Sequence, residues 1–133
     1  MRCLVVGLGN FGTALAKELT DEGNEVIAVD PHDRNVDAIK DLVSTVYIMD
    51  ATDESAISAL PLSEIDIIFV TISEDLAASL RTVVTLQKNG GKNIYARAND
   101  DIHKQILEGI GNLKIIMPEV EMAKIYAKKL EEF

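Results

Sequence analysis

The stretch that decides the fold is Val5-Val6-Gly7-Leu8-Gly9-Asn10-Phe11-Gly12, near the start of the chain. It contains the pattern G-x-G-x-x-G, preceded by a short apolar run, Cys3–Val6, and followed by a helical pattern. A second apolar run, Glu25–Val29, leads to Asp30, an acidic residue 18 positions after the last glycine. The glycine pattern alone is a weak signal, but this order of strand, glycine turn, helix, strand and acid is the dinucleotide-binding fingerprint.

Each glycine of the turn has a separate physical role. Gly7 permits the tight turn, Gly9 lets the backbone approach a pyrophosphate, and Gly12 lets the helix pack closely on the strands. The helix then presents unpaired N–H groups and its positive dipole end to the phosphates. Asp30 can accept hydrogen bonds from ribose hydroxyls and would repel a 2′-phosphate, which disfavours NADP despite the nearby Arg34. The alternative is a glycine turn that binds nothing.

Four more apolar runs follow, each rich in Val and Ile and nearly continuous rather than alternating, as is typical of strands buried on both faces of a parallel sheet. They are Thr45–Met49, Asp66–Ile72, Asn93–Ala96 and Lys114–Met117. Amphipathic helical patterns lie between the runs, so each connection is a crossover. The sequence therefore predicts an α/β, Rossmann-like, doubly wound parallel sheet of six strands with helices on both faces.

Capping residues mark the ends of the predicted helices. Gly23 and Gly90 are placed to end the first and fourth helices. Asp33 and Thr52 are placed to cap the second and third. Helical spacing of apolar residues predicts the buried faces of the fourth and fifth helices. These faces are Leu76, Leu80, Val83, Val84 and Gln87, and then Ile102, Ile106, Leu107 and Ile110.

The last helix, from about Glu119 to Phe133, has an unusually wide apolar face. Its apolar residues cover an arc of about 220°, more than one sheet face needs. Either the helix lies in a deep groove of its own domain, or the surplus face packs on a second chain or a missing domain. We therefore divide the chain into a nucleotide-binding domain over residues 1–118 and a C-terminal helix over residues 119–133, with no C-terminal lobe.

Further candidate ligand residues lie where predicted strands end, because the carboxyl ends of parallel strands face the ligand crevice. Asp50 and Ala51 are placed to meet an adenine or its ribose, with Thr52 beside them; alternatively, this segment only caps a helix. Thr71 ends the fourth strand. Arg97 ends the fifth and could reach a phosphate or pair with a carboxylate.

Glu119 follows Pro118 at the start of the last helix. It is either a carboxylate favoured by the helix dipole or a ligand for a divalent cation that two subunits could share. His32 and His103 have no metal-ligand spacing and no partner that would make a catalytic base. Cys3 falls inside the first strand and is expected to be inert core.

Composition excludes several classes of protein. Hydrophobic residues make up 47% of the 133 residues and charged residues 26%, an ordinary globular mixture. The net charge of −9 disfavours nucleic acid as a partner. The longest strongly apolar run, Ile65–Ile72, is too short to span a membrane, and we expect no signal peptide and a cytoplasmic protein. A single cysteine excludes an internal disulfide framework and a cysteine-based zinc site.

The sequence resembles the RCK or KTN domain of TrkA-N type, a regulatory nucleotide-binding domain of Trk and Ktr potassium transport systems and of potassium channels. The glycine turn is shared with many dehydrogenases, whereas Asp-Ala-Thr after the third strand and Pro-Glu before the last helix are more specific. The matching pieces run through nearly the whole chain in the family's order. They are Val5–Gly12, Glu25–Asp30, Asp50–Asp53, Ile94–Ala98 and Ile115–Glu119.

The resemblance implies a regulatory subunit, peripheral to the inner face of the membrane, that binds ATP, ADP, NAD or NADH. Such domains form homodimers and octameric rings under a membrane-embedded potassium transport subunit, and the last helix usually crosses to the dimer partner. Glu119 matches a position that binds a divalent cation between subunits in some members. The implied nucleotide ligands are Gly7, Gly9, Asn10, Phe11, Gly12, Asp30, Asp50, Ala51 and Thr52.

Two departures from the family pattern affect these implications. Members that favour ATP often carry arginine where this chain has Asn10, so the sequence favours ADP or NAD over ATP as the ligand. The family usually adds a C-terminal lobe, whereas this sequence stops after the last helix; it is either a piece of a longer protein or a naturally short one. The competing hypotheses are an NAD-dependent oxidoreductase, or a cofactor domain cut from one, and a redox-sensing repressor. The first needs a substrate pocket with an acid or base, and the second needs a basic helix-turn-helix; neither is visible in the sequence.

Overall fold

The structure is a computed structural model that describes residues 1–132. Phe133, which we predicted to lie on the last helix, falls outside the described residues. The strands are β1 (Arg2–Val6), β2 (Glu25–Asp30), β3 (Thr45–Ile48), β4 (Ile67–Val70), β5 (Ile94–Arg97) and β6 (Leu113–Ile116). The helices are α1 (Asn10–Asp21), α2 (Asp33–Ile39), α3 (Glu54–Ser58), α4 (Leu76–Lys88), α5 (Asp101–Ile110) and α6 (Pro118–Lys129). Short 3-10 turns cover Leu62–Glu64 and Leu130–Glu132.

The six strands form one parallel sheet in the order β3-β2-β1-β4-β5-β6. This is the doubly wound Rossmann order, as predicted. The chain winds outward from β1 to β3, then crosses back and winds outward again from β4 to β6. The strand order reverses between β1 and β4, so a crevice opens outside the carboxyl ends of these two strands.

Two apolar layers cover the sheet, which explains why the strands have almost no polar positions. On one face Leu4 and Val6 of β1 pack with residues of α3, α4 and α5. On the other face Cys3 and Val5 pack with Ala16 of α1 and with α2. Cys3 is buried, in agreement with the expectation of an inert core residue.

The predicted helix ends differ from the structure in two places. Gly23 and Gly90 follow α1 and α4 with φ of 93° and 90°, as a glycine after a helix does. Asp33, however, is the first residue of α2, and His32 holds the cap position. Asp53 caps α3 instead of Thr52, whose N–H and hydroxyl both bind Asp50.

The apolar patterns predicted for α4 and α5 are buried only in part, with Leu80 and Ile110 packed against the core. Val83 and Leu107 are buried as expected, but Leu76, Val84, Ile102 and Ile106 are exposed. Three polar residues take their place in the core: Ser79, Thr82 and His103. Ser79 and His103 form a hydrogen bond with each other, which offsets the cost of removing their polar atoms from water.

Helix α6 buries none of its residues. Its apolar side chains, Val120, Met122, Ile125 and Tyr126, are between 43% and 60% exposed. The interpretation that this helix lies in a deep groove of its own domain is therefore wrong. Of the described helices, none is long and apolar enough to cross a membrane.

Candidate functional site

A cavity of about 590 Å³ opens at the carboxyl edge of the sheet, at the crevice between β1 and β4. Four connections line it: the β1–α1 turn, the end of β2, the segment after β3 and the β4–α4 loop. Its volume lies within the range of small-molecule sites, roughly 300–1,000 Å³. Seven of the predicted ligand residues line this cavity. They are Gly7, Gly9, Asp30, Asp50, Ala51, Thr52 and Thr71.

The glycine turn wraps one side of the cavity under tight steric limits. Gly7 has φ of 102°, a conformation that favours glycine. A Cβ on Gly12 would overlap the carbonyl oxygen of Gly7, so α1 can approach β1 only with glycine at this position. Gly7 thus permits the tight turn and Gly12 the close packing of α1, as predicted, and the fold itself requires glycine at both positions.

Gly9 is different because the protein leaves space over it. Its backbone is extended, with φ of −73° and ψ of −163°, which any residue can adopt. The nearest atom to a Cβ built there is Ser73 Oγ, at an ordinary contact distance of 3.7 Å. Nothing in the fold requires glycine at this position. The bare backbone of Gly9 faces open space in the cavity wall.

The amino terminus of α1 has no capping side chain. Gly9 occupies the cap position, and the first turn contains no acidic residue. By contrast, Asp53, Asp75 and Asp100 each cap a helix, α3, α4 and α5 respectively, by accepting a backbone hydrogen bond. The first N–H groups of α1 are thus left for another acceptor, and the helix dipole favours an anion there.

Asp30 ends β2 and is only 5% exposed. Its Oδ2 accepts the backbone N–H of Leu8 at 2.8 Å, so the carboxylate ties the glycine turn to β2. Its Oδ1 accepts the backbone N–H of His32 at 2.8 Å and the side-chain amide of Asn35 at 3.2 Å. A carboxylate oxygen can accept two hydrogen bonds, and Oδ2 accepts one from the described residues.

Asp50 and Thr52 form a small hydrogen-bonded turn after β3. Asp50 Oδ1 accepts the Thr52 hydroxyl at 2.6 Å and the Thr52 backbone N–H at 2.9 Å. The hydrogen bond from the Thr52 side chain is the main cause that lowers the pKa of Asp50 below its usual value. Asp50 therefore stays charged at neutral pH beside the cavity. This segment therefore both leads into the helix cap at Asp53 and lines the cavity.

Thr71 lies behind the glycine turn and is buried. Its hydroxyl contacts the carbonyl oxygens of Gly7, at 2.6 Å, and Val6, at 3.1 Å. The proton of the hydroxyl is thus directed at the turn. Thr71 holds the shape of the glycine turn, in addition to lining the cavity.

Four predicted ligand residues do not line the cavity. Asn10 is exposed at the start of α1, and Gly12 is buried beneath the turn. The guanidinium of Arg97 lies 5.9 Å from the centre of the Phe11 ring. The side chain of Arg97 is 14% exposed, donates from Nη2 to Glu119, and leaves Nε buried without a partner in the described residues. Of the two roles considered for Arg97, the structure shows the ion pair with a carboxylate.

Glu119 joins no cluster of metal ligands within the part of the chain that the structure describes. Within residues 1–132, no three His, Cys, Asp or Glu side chains are arranged so that they could hold a metal ion together. Its carboxylate is paired with Arg97 instead. A cation at Glu119 would have to displace Arg97 and take its remaining ligands from elsewhere.

Several cavity residues were not predicted. Asn35, Ala78 and Thr82 come from the helices that border the crevice, and helical spacing does not reveal which residue borders a cavity. Glu74 and Asp75 bring two more carboxylates to the rim beside Asp30 and Asp50. No lysine or arginine lines the cavity within the described chain, and Arg34 is outside it. The wall therefore has a strongly negative charge.

Comparisons with known proteins agree on one family. Residues 3–118 match the TrkA-N domain. The chain is 37% identical over 126 residues to Ktr system potassium uptake protein C of Bacillus subtilis (strain 168). It is 35% identical over 126 residues to Ktr system potassium uptake protein A of Vibrio alginolyticus. Each alignment covers 95% of this chain and 57% of the relative, so the chain spans little more than half the length of either relative.

Solved structures are similar in fold. The NAD(P)-binding domain of an exopolyphosphatase-related protein from Archaeoglobus fulgidus has a TM-score of 0.86 at 22% identity, covering 98% of both chains. The GsuK channel bound to NAD has a TM-score of 0.74 at 14% identity, covering 86% of this chain and 21% of that one. The family match over most of the sequence and the two relatives above 30% identity lead to one conclusion: this chain belongs to the TrkA-N domain family.

Proposed function

We propose that this chain is a nucleotide-sensing regulatory domain of a potassium transport system. An adenine nucleotide binds in the cavity, and its identity sets the geometry of an assembly that controls a membrane-embedded potassium transport subunit. The named relatives are Ktr potassium uptake proteins, which supports the transport role. One observation supports nucleotide binding: the backbone of Gly9, the uncapped start of α1 and the carboxylate of Asp30 all lie at one cavity.

The proposed binding mode follows from these three features. The phosphates lie over Gly9 and accept the free N–H groups of α1, where a Cβ would otherwise block the approach. The ribose donates a hydroxyl to the open position on Asp30 Oδ2. The adenine lies toward Asp50, Ala51 and Thr52, at the end of β3. Asn10, Phe11 and Gly12 contribute through their backbone at the start of α1.

The charge of the cavity bears on which nucleotide binds. Four carboxylates, Asp30, Asp50, Glu74 and Asp75, line it without a lysine or arginine from the described chain. A bare triphosphate would meet repulsion there, because like charges in a partly closed site interact strongly. We therefore propose that ADP, NAD or NADH binds more readily than free ATP, and that ATP requires Mg²⁺. NADP is disfavoured because its 2′-phosphate would approach Asp30.

The exposed apolar surfaces support an assembly of several copies. Helix α6 presents one apolar face, and residues on α4 and α5, among them Val84 and Ile102, present others. Surfaces of this kind mark sites of protein association. We propose that the predicted crossover segment, residues 119–133, which includes most of α6, crosses to a second copy in a homodimer. The additional apolar surface is suited to joining dimers into a ring, the octamer implied by the family resemblance.

The proposed divalent cation belongs to the same interface. Glu119 begins α6 and is paired with Arg97 within one chain. We propose that a cation binds Glu119 only when a second copy supplies further ligands and Arg97 is released. Because assembly would bring together two copies of this carboxylate, cation binding and dimer geometry would be coupled.

Other elements of the proposal concern location and chemistry. The domain works in the cytoplasm, held at the inner face of the membrane through its partner, without entering the membrane or binding nucleic acid. It is not an enzyme: nucleotides act by binding one assembly geometry better than another, which shifts the population without a reaction. An oxidoreductase would instead turn over its cofactor.

Calorimetric titration with ATP, ADP, NAD and NADH, each with and without Mg²⁺, tests this proposal. We expect saturable binding of at least two of them with distinct affinities, and a larger effect of Mg²⁺ on ATP than on NAD. The absorbance of bound NADH should stay constant with time. Failure of all four to bind, with and without Mg²⁺, would contradict the nucleotide role, and steady loss of NADH absorbance with a small carbonyl compound would favour the oxidoreductase.

A further inference from the structure

A buried histidine lies next to the cavity without lining it. His103 is on the first turn of α5 and is 2% exposed, and its partner Ser79 on α4 is 1% exposed. Neither residue contributes to the cavity wall, but Ala78, the neighbour of Ser79, does. Because its ring can gain a proton, His103 could change the shape of the neighbouring cavity wall when the pH changes.

The hydrogen bonds fix which nitrogen of His103 carries the proton. The backbone N–H of Asn99 donates to Nδ1 at 3.1 Å, so Nδ1 must be without hydrogen. Nε2 then carries the proton and donates to Ser79 Oγ, also at 3.1 Å. In return, Asp100 accepts the backbone N–H of His103 at 2.8 Å, which closes the start of α5 as a reciprocal cap. This arrangement requires the neutral ring.

A second hydrogen bond connects this ring to the cavity rim. The side-chain amide of Asn99 donates to the carbonyl oxygen of Ser73 at 2.5 Å. Ser73 belongs to the β4–α4 loop, which lines the cavity with Glu74 and Asp75. The loop is thus held by Asn99, and the backbone of Asn99 is held by the Nδ1 of His103.

We propose that His103 is a positioning residue of the cavity, and that protonation of its ring releases the β4–α4 loop so that acidification weakens nucleotide binding. The proposal rests on the function proposed above and adds a second input, pH, to the same site. The imidazolium has a hydrogen on both nitrogens, so Nδ1–H would meet the N–H of Asn99 donor to donor. The bond between them would be lost, and Asn99 would move with the chain on either side of it.

Burial of the ring sets the direction of the pH effect, and the opposing charge of Asp100 does not reverse it. Charged groups on the surrounding elements are Asp100 before α5, Asp101 and Lys104 on α5, Glu74 and Asp75 before α4, and Arg81 on α4. Burial lowers the pKa of His103, and this outweighs the opposite effect of the Asp100 carboxylate. The unfolded chain therefore binds more protons here than the folded one. The stabilising contribution is complete above about pH 6.5 and is lost as the pH falls from there through the folded pKa.

Two variants distinguish the effect of protonating His103 from the effect of protonating other groups near the cavity. His103→Asn retains an acceptor oxygen near the position of Nδ1 but cannot be protonated in this range. Asn99→Ala, at an exposed position, removes the link to Ser73 and leaves the buried ring in place. Both variants keep the cavity carboxylates Asp30 and Asp50.

The experiment measures ADP affinity by calorimetry between about pH 7.5 and about pH 5.5, the range in which histidine switches. The unmodified protein should lose affinity several-fold on acidification, whereas His103→Asn and Asn99→Ala should show a much flatter profile. Equal pH dependence in all three proteins would overturn the proposal.

Hydrogen exchange without nucleotide keeps the test independent of the proposed function. After correction for the intrinsic exchange rate, protection of the Asn99 amide and of residues 72–75 should fall at low pH in the unmodified protein, and not in His103→Asn. Unchanged protection would overturn the proposal. If ADP fails to bind at any pH while protection still falls, the nucleotide role fails and the His103 device stands.

Discussion

The three glycines of the β1–α1 turn are constrained by different neighbours. Gly7 is fixed by its positive φ, and Gly12 by the overlap that a Cβ would make with the carbonyl of Gly7. Gly9 has an ordinary backbone conformation and free space beside it. The fold accounts for the first and third glycine. The fold does not account for the second, which we propose is needed so that a nucleotide phosphate can approach the backbone.

Gly9→Ala is therefore predicted to separate binding from folding. Alanine fits the backbone, and by restricting the unfolded chain it should raise the free energy of unfolding by about 0.4–1 kcal/mol. Nucleotide affinity should fall by about tenfold or more, because a methyl group inserted into a tight contact costs about 1–3 kcal/mol. Denaturant unfolding and calorimetry measure the two effects.

Gly109→Ala on α5 is the matched control, since it adds the same methyl group in open space away from the cavity. It should stabilise the helix and leave nucleotide affinity unchanged. If Gly9→Ala bound nucleotide as tightly as this control, the phosphates would not lie over the turn.

Asp30 illustrates how far sequence reasoning extends at the scale of one residue. Its place at the end of β2 follows from the fingerprint, and the structure confirms that place. Its bonds to the backbone of Leu8 and His32 could not be predicted, because they depend on the path of two loops in space. The carboxylate thus holds the glycine turn to β2 as well as lining the cavity.

At the scale of elements, the strands were predictable and the helix faces less so. Strands buried on both faces exclude polar residues, so the runs around β1, β2 and β4 are evident in the sequence. The inner faces of α4 and α5 were misassigned because Ser79 and His103 satisfy each other across two helices. Hydrophobic spacing cannot reveal a polar pair that forms between elements distant in the chain.

Helix α6 gives the prediction that belongs to this scale. Ile125 is 47% exposed in the middle of its apolar face. Ile125→Ser should weaken self-association while changing the free energy of unfolding of the single chain by no more than about 0.5 kcal/mol, as is usual for surface changes. Sedimentation equilibrium of this variant beside Lys124→Ser, its neighbour, measures the effect. Equal association in both variants and the unmodified chain would mean that α6 does not form the interface.

Over the whole molecule, the chemistry is concentrated at the carboxyl edge of the sheet. The cavity, the free start of α1 and the first residues of α6 all lie at ends of strands, and Arg97 at the end of β5 pairs with Glu119. Arg97 therefore links the start of α6 to the start of α1, since its guanidinium also lies 5.9 Å from the centre of the Phe11 ring. The assembly itself could not be predicted from one chain's hydrophobic pattern, because the surplus apolar surface does not specify its partner.

The central claim is that the identity of the bound nucleotide sets the geometry of the assembly. Small-angle X-ray scattering of the unmodified protein, saturated in turn with ADP, with NAD and with ATP and Mg²⁺, tests it most directly. We predict an assembly larger than one chain and at least two distinct scattering profiles, which converge to one profile in Gly9→Ala. A single profile of an unchanging monomer with every nucleotide would contradict the claim.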